Sequence, residues 1–336
     1  MKKLYSFLIA LTLGATLTAQ DTFSIIAVDP ATGEVGSAGA TCVDGIGQFG
    51  GLIDIITDII PGKGGVNSQA WVCIPNVNLQ NAITRMQAGD SPSEIITWLI
   101  NNDACNVQNF DPEFRQYGVA DLDGQGNPRT AGWTGSMADD FKDDIQGATY
   151  SVQGNILLNA TVLTNMENNF NNTTGTLADK LMAAMQGANF AGADARCLAR
   201  GTSSTSAYLV VYRSDDDPGD PYLELNIEEM PFGEEPIDSL QILYDNFLTV
   251  ADVPLSSKLR LFPNPVSDEL ILSYDAGVEL QRLSVFDMQG KKILERTEFV
   301  TQGLQERLNV SNLPSGVYFL QVDSPQGKAS LKFIKQ

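Results

Sequence analysis

Histidine is absent from this 336-residue chain. That excludes Ser-His-Asp and Cys-His nucleophile pairs and zinc hydrolase sites built on imidazole, so any hydrolytic chemistry must find its general base elsewhere. Cysteine is scarce. Cys42, Cys73, Cys105 and Cys197 contain no Cys-x-x-Cys pair, which argues against a structural zinc site and for two disulfides in any of three pairings. Basic residues are also few, 21 against 41 acidic ones. From residue 256 onward the balance is near neutral, ten basic to nine acidic, so residues 20 to 255 hold nine basic and thirty-two acidic residues. Nucleic acid is therefore not an expected partner of the body, because phosphate binding wants a basic surface. Outside the N-terminus, no apolar run approaches the length that spans a bilayer.

What is present begins with an address. Lys2 and Lys3 precede the apolar run Leu4 to Leu17, and small residues end at Ala19, the pattern of a signal peptide over 1–19. Cleavage after Ala19 leaves Gln20 as the first residue, and cleavage after Gln20 leaves Asp21. An exported location permits disulfides.

The body, residues 21–250, is long enough for one well-buried domain. Strands are expected over Thr22 to Asp29, Glu34 to Ala40 and Val66 to Ile74, the first two as a hairpin turned at Pro30-Ala31-Thr32-Gly33. Leu79, Ala82, Ile83 and Met86 recur at helical spacing up to Gly89, and Ser91-Pro92-Ser93-Glu94 is a capping box that opens a second helix. Arg115 to Asp121 and Thr130 to Trp133 flank a turn at Asp123-Gly124-Gln125-Gly126-Asn127. Asp121-x-Asp123 invites a calcium reading, but Gly132 stands where an EF-hand needs Glu, so a hairpin turn is expected. A strand follows at Tyr150 to Asn155. Two helices come next, one lined by Val162, Leu163, Met166 and Phe170, the other capped by Thr176. Strands then recur at Ala207 to Tyr212 and Leu223 to Ile227. Between these last two strands, the run Asp215, Asp216, Asp217 and Asp220 reads as a solvated loop with a calcium loop as its alternative, which leaves metal binding open. A last helix from Pro236 puts Ile237, Leu240, Leu243, Tyr244 and Phe247 on one face, and 251–257 is a short linker.

Residues 258–336 change character. Short strand patterns separated by Gly, Asn and Pro turns suit a β-sandwich. The opening Pro263-Asn264-Pro265, then Val285-Phe286-Asp287-Met288-Gln289-Gly290-Lys291, Leu313-Pro314-Ser315-Gly316-Val317-Tyr318-Phe319-Leu320 and the terminal Lys332-Phe333-Ile334-Lys335 follow in order. This segment resembles the C-terminal sorting domain of the Bacteroidetes type IX secretion system. The resemblance implies the secretion machinery as partner, passage through periplasm and outer membrane, and a secreted or cell-surface location.

The body carries its own set: Thr22-Phe23-Ser24-Ile25, Asp29, Asn67 to Ala70, Arg115-Gln116-Tyr117-Gly118-Val119 with Asp121, Thr134-Gly135, Val152-Gln153-Gly154-Asn155, Gly192 to Arg196 and Ser203-Ser204. It resembles the bacterial domain of unknown function 1028, a family placed with the N-terminal-nucleophile (Ntn) hydrolases. The fold expected is α+β, a four-layer αββα body followed by an all-β sandwich. In Ntn chemistry a terminal Thr hydroxyl attacks an amide while its own α-amine, which titrates near neutrality, acts as base; no histidine and no cofactor are needed. Short members of the family begin with Thr directly after the start Met, so the residue matching Thr22 becomes terminal there. Here Gln20 and Asp21 intervene, so Thr22 also reads simply as a strand start.

Around that candidate nucleophile, Ser24 shares its strand face, Arg115 is a candidate for holding a carboxylate, Asp121 for orienting an amine or binding a cation, and Asn155 for donating to an oxyanion. Turn hydrogen bonds and ion pairs, Asp194 with Arg196 among them, are the structural alternatives. An exported amidohydrolase of small amides or peptides is one expectation, and a noncatalytic binding module for peptides or glycans on the same scaffold is the other. Deleting residues 256–336 is expected to leave a folded body trapped in the periplasm; normal levels in the medium on immunoblot would overturn the tag assignment.

Overall fold

The computed structural model describes residues 22–251, 255–299, 304–325 and 327–336. The signal peptide expected at 1–19, with Gln20 and Asp21, lies outside the described residues, as do residues 252–254 of the expected linker. The chain divides into two compact units, the first ending at Tyr244 and the second starting at Asp245.

In the body, β1 (Thr22–Asp29) and β2 (Glu34–Thr41) form the expected hairpin. A one-turn helix α1 (Ile53–Ile56) runs into β3 (Thr57–Ile60), and β4 (Gly64–Ala70) returns beside it. Helices α2 (Val77–Ala88) and α3 (Pro92–Asn101) follow, the first ended by Gly89 at φ 102°, the second opened by Ser91, whose N–H donates to Glu94 Oε2 at 2.8 Å. Then come β5 (Arg115–Leu122), β6 (Pro128–Thr134), β7 (Asp143–Gln146), β8 (Tyr150–Gly154), α4 (Thr161–Asn172) and α5 (Leu177–Gly187). The strands β9 (Ser206–Tyr212) and β10 (Leu223–Ile227) and the helix α6 (Pro236–Ala251) complete the set.

Two antiparallel sheets result, one in the order β10-β9-β2-β1-β8-β7 and one in the order β3-β4-β5-β6. They face each other, with β1 against β4 and β5 and with β8 against β5 and β6. The outer face of the smaller sheet carries α2 and α3, whose Leu79, Met86, Ile95 and Leu99 pack on Val66, Tyr117 and Val119. Helices α4 and α5 cover the larger sheet. The central strands are thus buried on both sides, which explains why β1 reads as nearly continuous apolar sequence. Between the sheets, Ile26, Val28, Val35, Ile59, Ala120 and Leu122 form an apolar half. Roughly 25 cal/mol per Å2 of buried apolar surface makes this and the helix-facing cluster the main source of stability.

Three details differ from the sequence expectation, and a fourth, left open there, is decided. The strand expected over 66–74 stops at Ala70, which adopts φ 68°, a left-handed conformation that ends pairing. The short strands β3 and β7 are unanticipated, because Thr57-Asp58-Ile59-Ile60 and Asp143-Asp144-Ile145-Gln146 sit at sheet edges and lack a full alternating pattern. Cysteine pairing, open in the sequence, is Cys42–Cys197 and Cys73–Cys105. Leu243, expected on the packed face of α6, is exposed, while Ile237, Leu240 and Tyr244 are buried.

From residue 259 onward the second unit is built of strands: β11 (Leu259–Phe262), β12 (Glu269–Tyr274), β13 (Arg282–Phe286), β14 (Lys292–Arg296), β15 (Gln305–Asn309), β16 (Gly316–Ser324) and β17 (Gly327–Lys335). A three-stranded sheet β11-β12-β15 and a four-stranded sheet β14-β13-β16-β17 share one core of Leu270, Leu272, Val285, Leu308, Leu320 and Phe333. The tail's motifs have structural reasons. Asn264 of Pro-Asn-Pro accepts from Ile334 N at 2.9 Å and donates to Lys332 O at 3.1 Å, pinning the last strand. Asp287 accepts from Gln289 N and Lys291 N, which forms the Asp-x-x-Gly-Lys turn with Gly290 at φ 79°.

The last helix is fastened to the body through Tyr244, whose hydroxyl donates to Asp179 Oδ1 at 2.7 Å, while Asp179 Oδ2 accepts from Thr176 N in the cap of α5. Replacing the fully buried Leu240 by Ala is expected to cost about 2 to 5 kcal/mol in urea unfolding of the body. A change near zero would mean that the helix contributes no packing.

Candidate functional site

The other half of the space between the sheets is polar. Thr22, Ser24 and Ser37 from the larger sheet meet Asn67, Gln69 and Gln116 from the smaller one, all with no exposed surface. Ser24 is the hub. Its hydroxyl donates to Gln69 Oε1 at 2.5 Å and accepts from Asn67 Nδ2 at 3.0 Å and Gln153 Nε2 at 2.6 Å, which uses its one donor and both acceptor positions. Gln69 Nε2 bridges onward to Thr22 O at 3.0 Å and Gln116 Oε1 at 2.7 Å. Gln116 Nε2 in turn reaches Thr134 Oγ1 and the carbonyls of Asp143 and Gly154, at 2.9 to 3.1 Å. On the other side of the hub, Asn67 Oδ1 accepts from Ser37 Oγ at 2.9 Å and Thr57 Oγ1 at 2.7 Å. Ser37 also shares a 2.8 Å bond with the Tyr208 hydroxyl, and burial raises that phenol well above its ordinary range, so it stays neutral.

This layer requires close approach of the two sheets. A Cβ on Gly118 would lie 2.0 Å from Gln153 Oε1 of the facing sheet, and within the larger sheet one on Gly39 would lie 2.9 Å from Ser24 Cβ on the paired strand. The glycines therefore make room for the amide network.

Thr22 stands at its edge. Thr22 N donates to Asn155 Oδ1 at 3.2 Å, and Asn155 N donates back to Thr22 O at 3.1 Å. Thr22, Ser24 and Asn155 thus come together, as their sequence assignment to one site requires. Arg115 and Asp121 do not join them. Arg115 starts β5 at the same end as Thr22, but its guanidinium is turned into the loops: Nε donates to Asp103 Oδ2 at 2.8 Å, Nη2 to the carbonyls of Cys105 and Val107, and Nη1 to that of Trp71. Asp121 lies six residues along β5, opposite Gly64, and is held bidentately by Arg129 Nε and Nη2 at 2.9 and 2.6 Å. Both fit the structural alternatives weighed from sequence better than ligand binding.

A second loop clip mirrors that of Arg115. Asp194 is fully buried and accepts from Cys42 N at 2.8 Å and from Arg196 Nε and Nη2 at 3.0 and 2.6 Å. Each disulfide lies next to one clip, Cys42–Cys197 beside Asp194 and Cys73–Cys105 beside Arg115. The polar end is consequently cross-braced on two sides.

Among the described residues, no group of three or more His, Cys, Asp or Glu side chains is arranged to hold a metal ion. The two acidic loops bond inward instead: Asp123 accepts from Gln125 N and Asn127 N, and Asp216 accepts from Arg213 N and Tyr222 N. The sequence motifs contain Asn67, Gln69, Gln116 and Gln153 but assign them no role, and Ser37, Thr57 and Tyr208 belong to none of them. The signal was available in part, since polar residues at every second position of strands that are otherwise apolar mark a buried polar face.

Two family models match the chain. One, described as a family of unknown function (DUF1028), covers residues 22–240, and the other, a secretion system C-terminal sorting domain, covers residues 260–336. The crystal structure of protein SPO2555 from Silicibacter pomeroyi, itself described under DUF1028, is similar at 24% identity and a TM-score of 0.52, over 68% of this chain and 89% of that one. The BSP domain of a biofilm-associated protein aligns over 96% of this chain and 53% of its own at 12% identity, with a TM-score of 0.24 that is below a shared fold. No curated protein matches the sequence.

Arg115→Met is expected to cost about 3 to 5 kcal/mol, because it leaves Asp103 a buried charge without its partner. Adding Asp103→Leu should recover part of that loss in denaturant unfolding. Equal stability of the single variant and the parent would refute the clip.

Proposed function

This chain belongs to the family of unknown function DUF1028, followed by a type IX sorting domain, and from that premise we propose that its body is an exported Ntn-type amidohydrolase of small amides or peptides with Thr22 as nucleophile. The sorting domain sends the chain through the type IX secretion machinery to the cell surface or beyond, and two disulfides are consistent with that extracytoplasmic place. No helix among the described residues is long and apolar enough to cross a membrane.

The observation that carries the hydrolase reading is Thr22 at the start of a central strand, its nitrogen 3.2 Å from Asn155 Oδ1, at the polar end of two facing sheets. The order helix pair, sheet, sheet, helix pair supports the likeness to Ntn hydrolases. Asn155, Gln69, Asn67 and Gln153, which bond Thr22 or Ser24, are neutral amides. A free α-amine on Thr22 supplies the missing base. The amine takes the Oγ1 proton as Oγ1 attacks the amide carbon, and the tetrahedral oxyanion then expels the leaving amine, which carries that proton away. Water, deprotonated by the same amine, then attacks the resulting ester, and the expelled Oγ1 takes that proton back from the amine as the acid leaves. Asn155 is positioned to orient the amine, Arg115 acts only by holding the loops, and Asp121 serves the fold.

Complete burial of Thr22 favours a second reading, a noncatalytic binding module for peptides or glycans on the same scaffold. The mature N-terminus separates the two. Intact mass of protein purified from the medium is expected to begin at Thr22, with hydrolysis of peptide anilides lost in Thr22→Ala and falling below about pH 7.7 as the amine is protonated. A mature chain that keeps Gln20 or Asp21 ahead of Thr22 overturns the hydrolase in favour of the binding module.

A further inference from the structure

Strand register gathers the body's longer loops at one end. Thr22 pairs with Thr41, Thr41 with Ser206, Phe23 with Gly154, Ala70 with Arg115 and Gln116 with Thr134, so the chain leaves or enters every one of these strands beside Thr22. Exposed apolar side chains follow the same asymmetry. Phe110, Met137 and Leu198 are each 53% exposed, and Phe49, Ile74 and Leu158 stand on the other loops of this end. Phe232 lies there too, because Met230 N bonds to Thr205 O. Loops at the opposite end, 30–33, 61–63, 123–127, 147–149 and 213–222, carry no exposed large apolar residue. Solvent-exposed apolar groups scattered singly are ordinary, whereas their concentration on one rim marks a contact surface.

The rim is laterally continuous and fixed. Trp71 Nε1 donates to Asp139 Oδ2 at 2.9 Å, Leu157 N to Phe141 O at 2.9 Å and Leu158 N to Ala193 O at 3.2 Å. Arg200 pairs with Asp44 at 3.1 Å and lies 5.1 Å from the Phe232 ring centroid. Phe110 is held out in a left-handed backbone at φ 61°, the third such residue in a row after Gln108 and Asn109, a conformation that costs of order 1 to 3 kcal/mol for a non-glycine residue.

Charge on the rim has one available sign. Its cations Lys142, Arg196 and Arg200 are already paired with Asp140, Asp194 and Asp44. Carboxylates remain on the same loops at Glu113, Asp139, Asp143 and Glu228. Hydrogen bonds from Ser136 hold the Glu113 carboxyl below its usual range, so it stays ionised.

We propose that this end of the body is a docking rim for an extended peptide that carries apolar side chains and a net positive charge. The proposal rests on Thr22 marking the functional end, and it needs neither a free Thr22 amine nor turnover. Apolar side chains of the peptide contact Phe110 and Met137 on one side of the rim and Leu158 and Leu198 on the other, while its cations face the acidic loops.

Labelled peptides of equal length, alternating Leu-Lys, Leu-Glu or Ser-Lys, test this by fluorescence anisotropy with the full mature chain and its Thr22→Ala form. The Leu-Lys peptide is expected to bind both chains alike, more weakly as salt rises, and about tenfold more tightly than either of the others. Phe110→Ser with Met137→Ser should weaken it about tenfold, with unchanged thermal unfolding because both side chains are exposed. Equal affinity for all three peptides, no binding, or an unaffected double variant overturns the proposal. Tighter binding of a neutral long-chain N-acyl amide also overturns it, in favour of a lipid ligand. Loss of hydrolysis in Thr22→Ala with binding intact separates this inference from the hydrolase reading.

Discussion

Two facing sheets must fill the space between them, and here half of that space is filled by amides and hydroxyls, with Ser24 at the centre. A buried polar group left without a partner costs about 1 to 3 kcal/mol, so such a layer is tolerable only when its members satisfy one another. Ser24 does so with Gln69 and Asn67 across the sheets and Gln69 with Gln116 alongside, and Gly118 sets the distance at which the sheets can meet. Because hydrogen bonds are directional and apolar contacts are not, this layer fixes the mutual register of the sheets more tightly than the aliphatic half alone. The position of Thr22 relative to Asn155 is set within the larger sheet, where β1 pairs with β8 through Phe23 and Gly154.

Rigidity at that end has a second source. Arg115 and Asp194 each gather several loop groups onto one buried charge, and each clip lies beside a disulfide. Cross-links that span 155 and 32 residues remove unfolded-chain entropy worth roughly 3 to 5 kcal/mol apiece. Loops are ordinarily the least ordered part of a domain, so bracing them so heavily makes sense where loops form a binding surface. Most of the large apolar side chains that the body exposes are carried on these braced loops.

Function then follows from what the site lacks as much as from what it holds. Neutral amides surround Thr22 and Ser24, so in the proposed hydrolase the base comes from the chain terminus and proteolytic maturation controls the chemistry. The body is strongly acidic and the tail near neutral, so charge distinguishes the exported body from the module that meets the export machinery.

Several layers of this protein were legible in the linear chain. The capping boxes at Ser91 and Thr176, the helix faces of Leu79 to Met86 and Val162 to Phe170, the hairpin at Thr22 to Thr41 and the tail's ordered motifs are local patterns, and each is set by residues a few positions apart. Thr22, Ser24 and Asn155 could be nominated together only through the family resemblance that their two motifs carry; the fold makes those strands neighbours. Disulfide pairing, the partner of Arg115, the partner of Asp121 and the amide layer were decided only by tertiary structure. Asp103 and Arg115, or Ser24 and Gln69, meet only once the chain has been folded back on itself, and an isolated strand pattern carries no record of which strand will face it. For the same reason the apolar rim was invisible: its residues lie on separate loops far apart in sequence, and strand register alone brings those loops to one end.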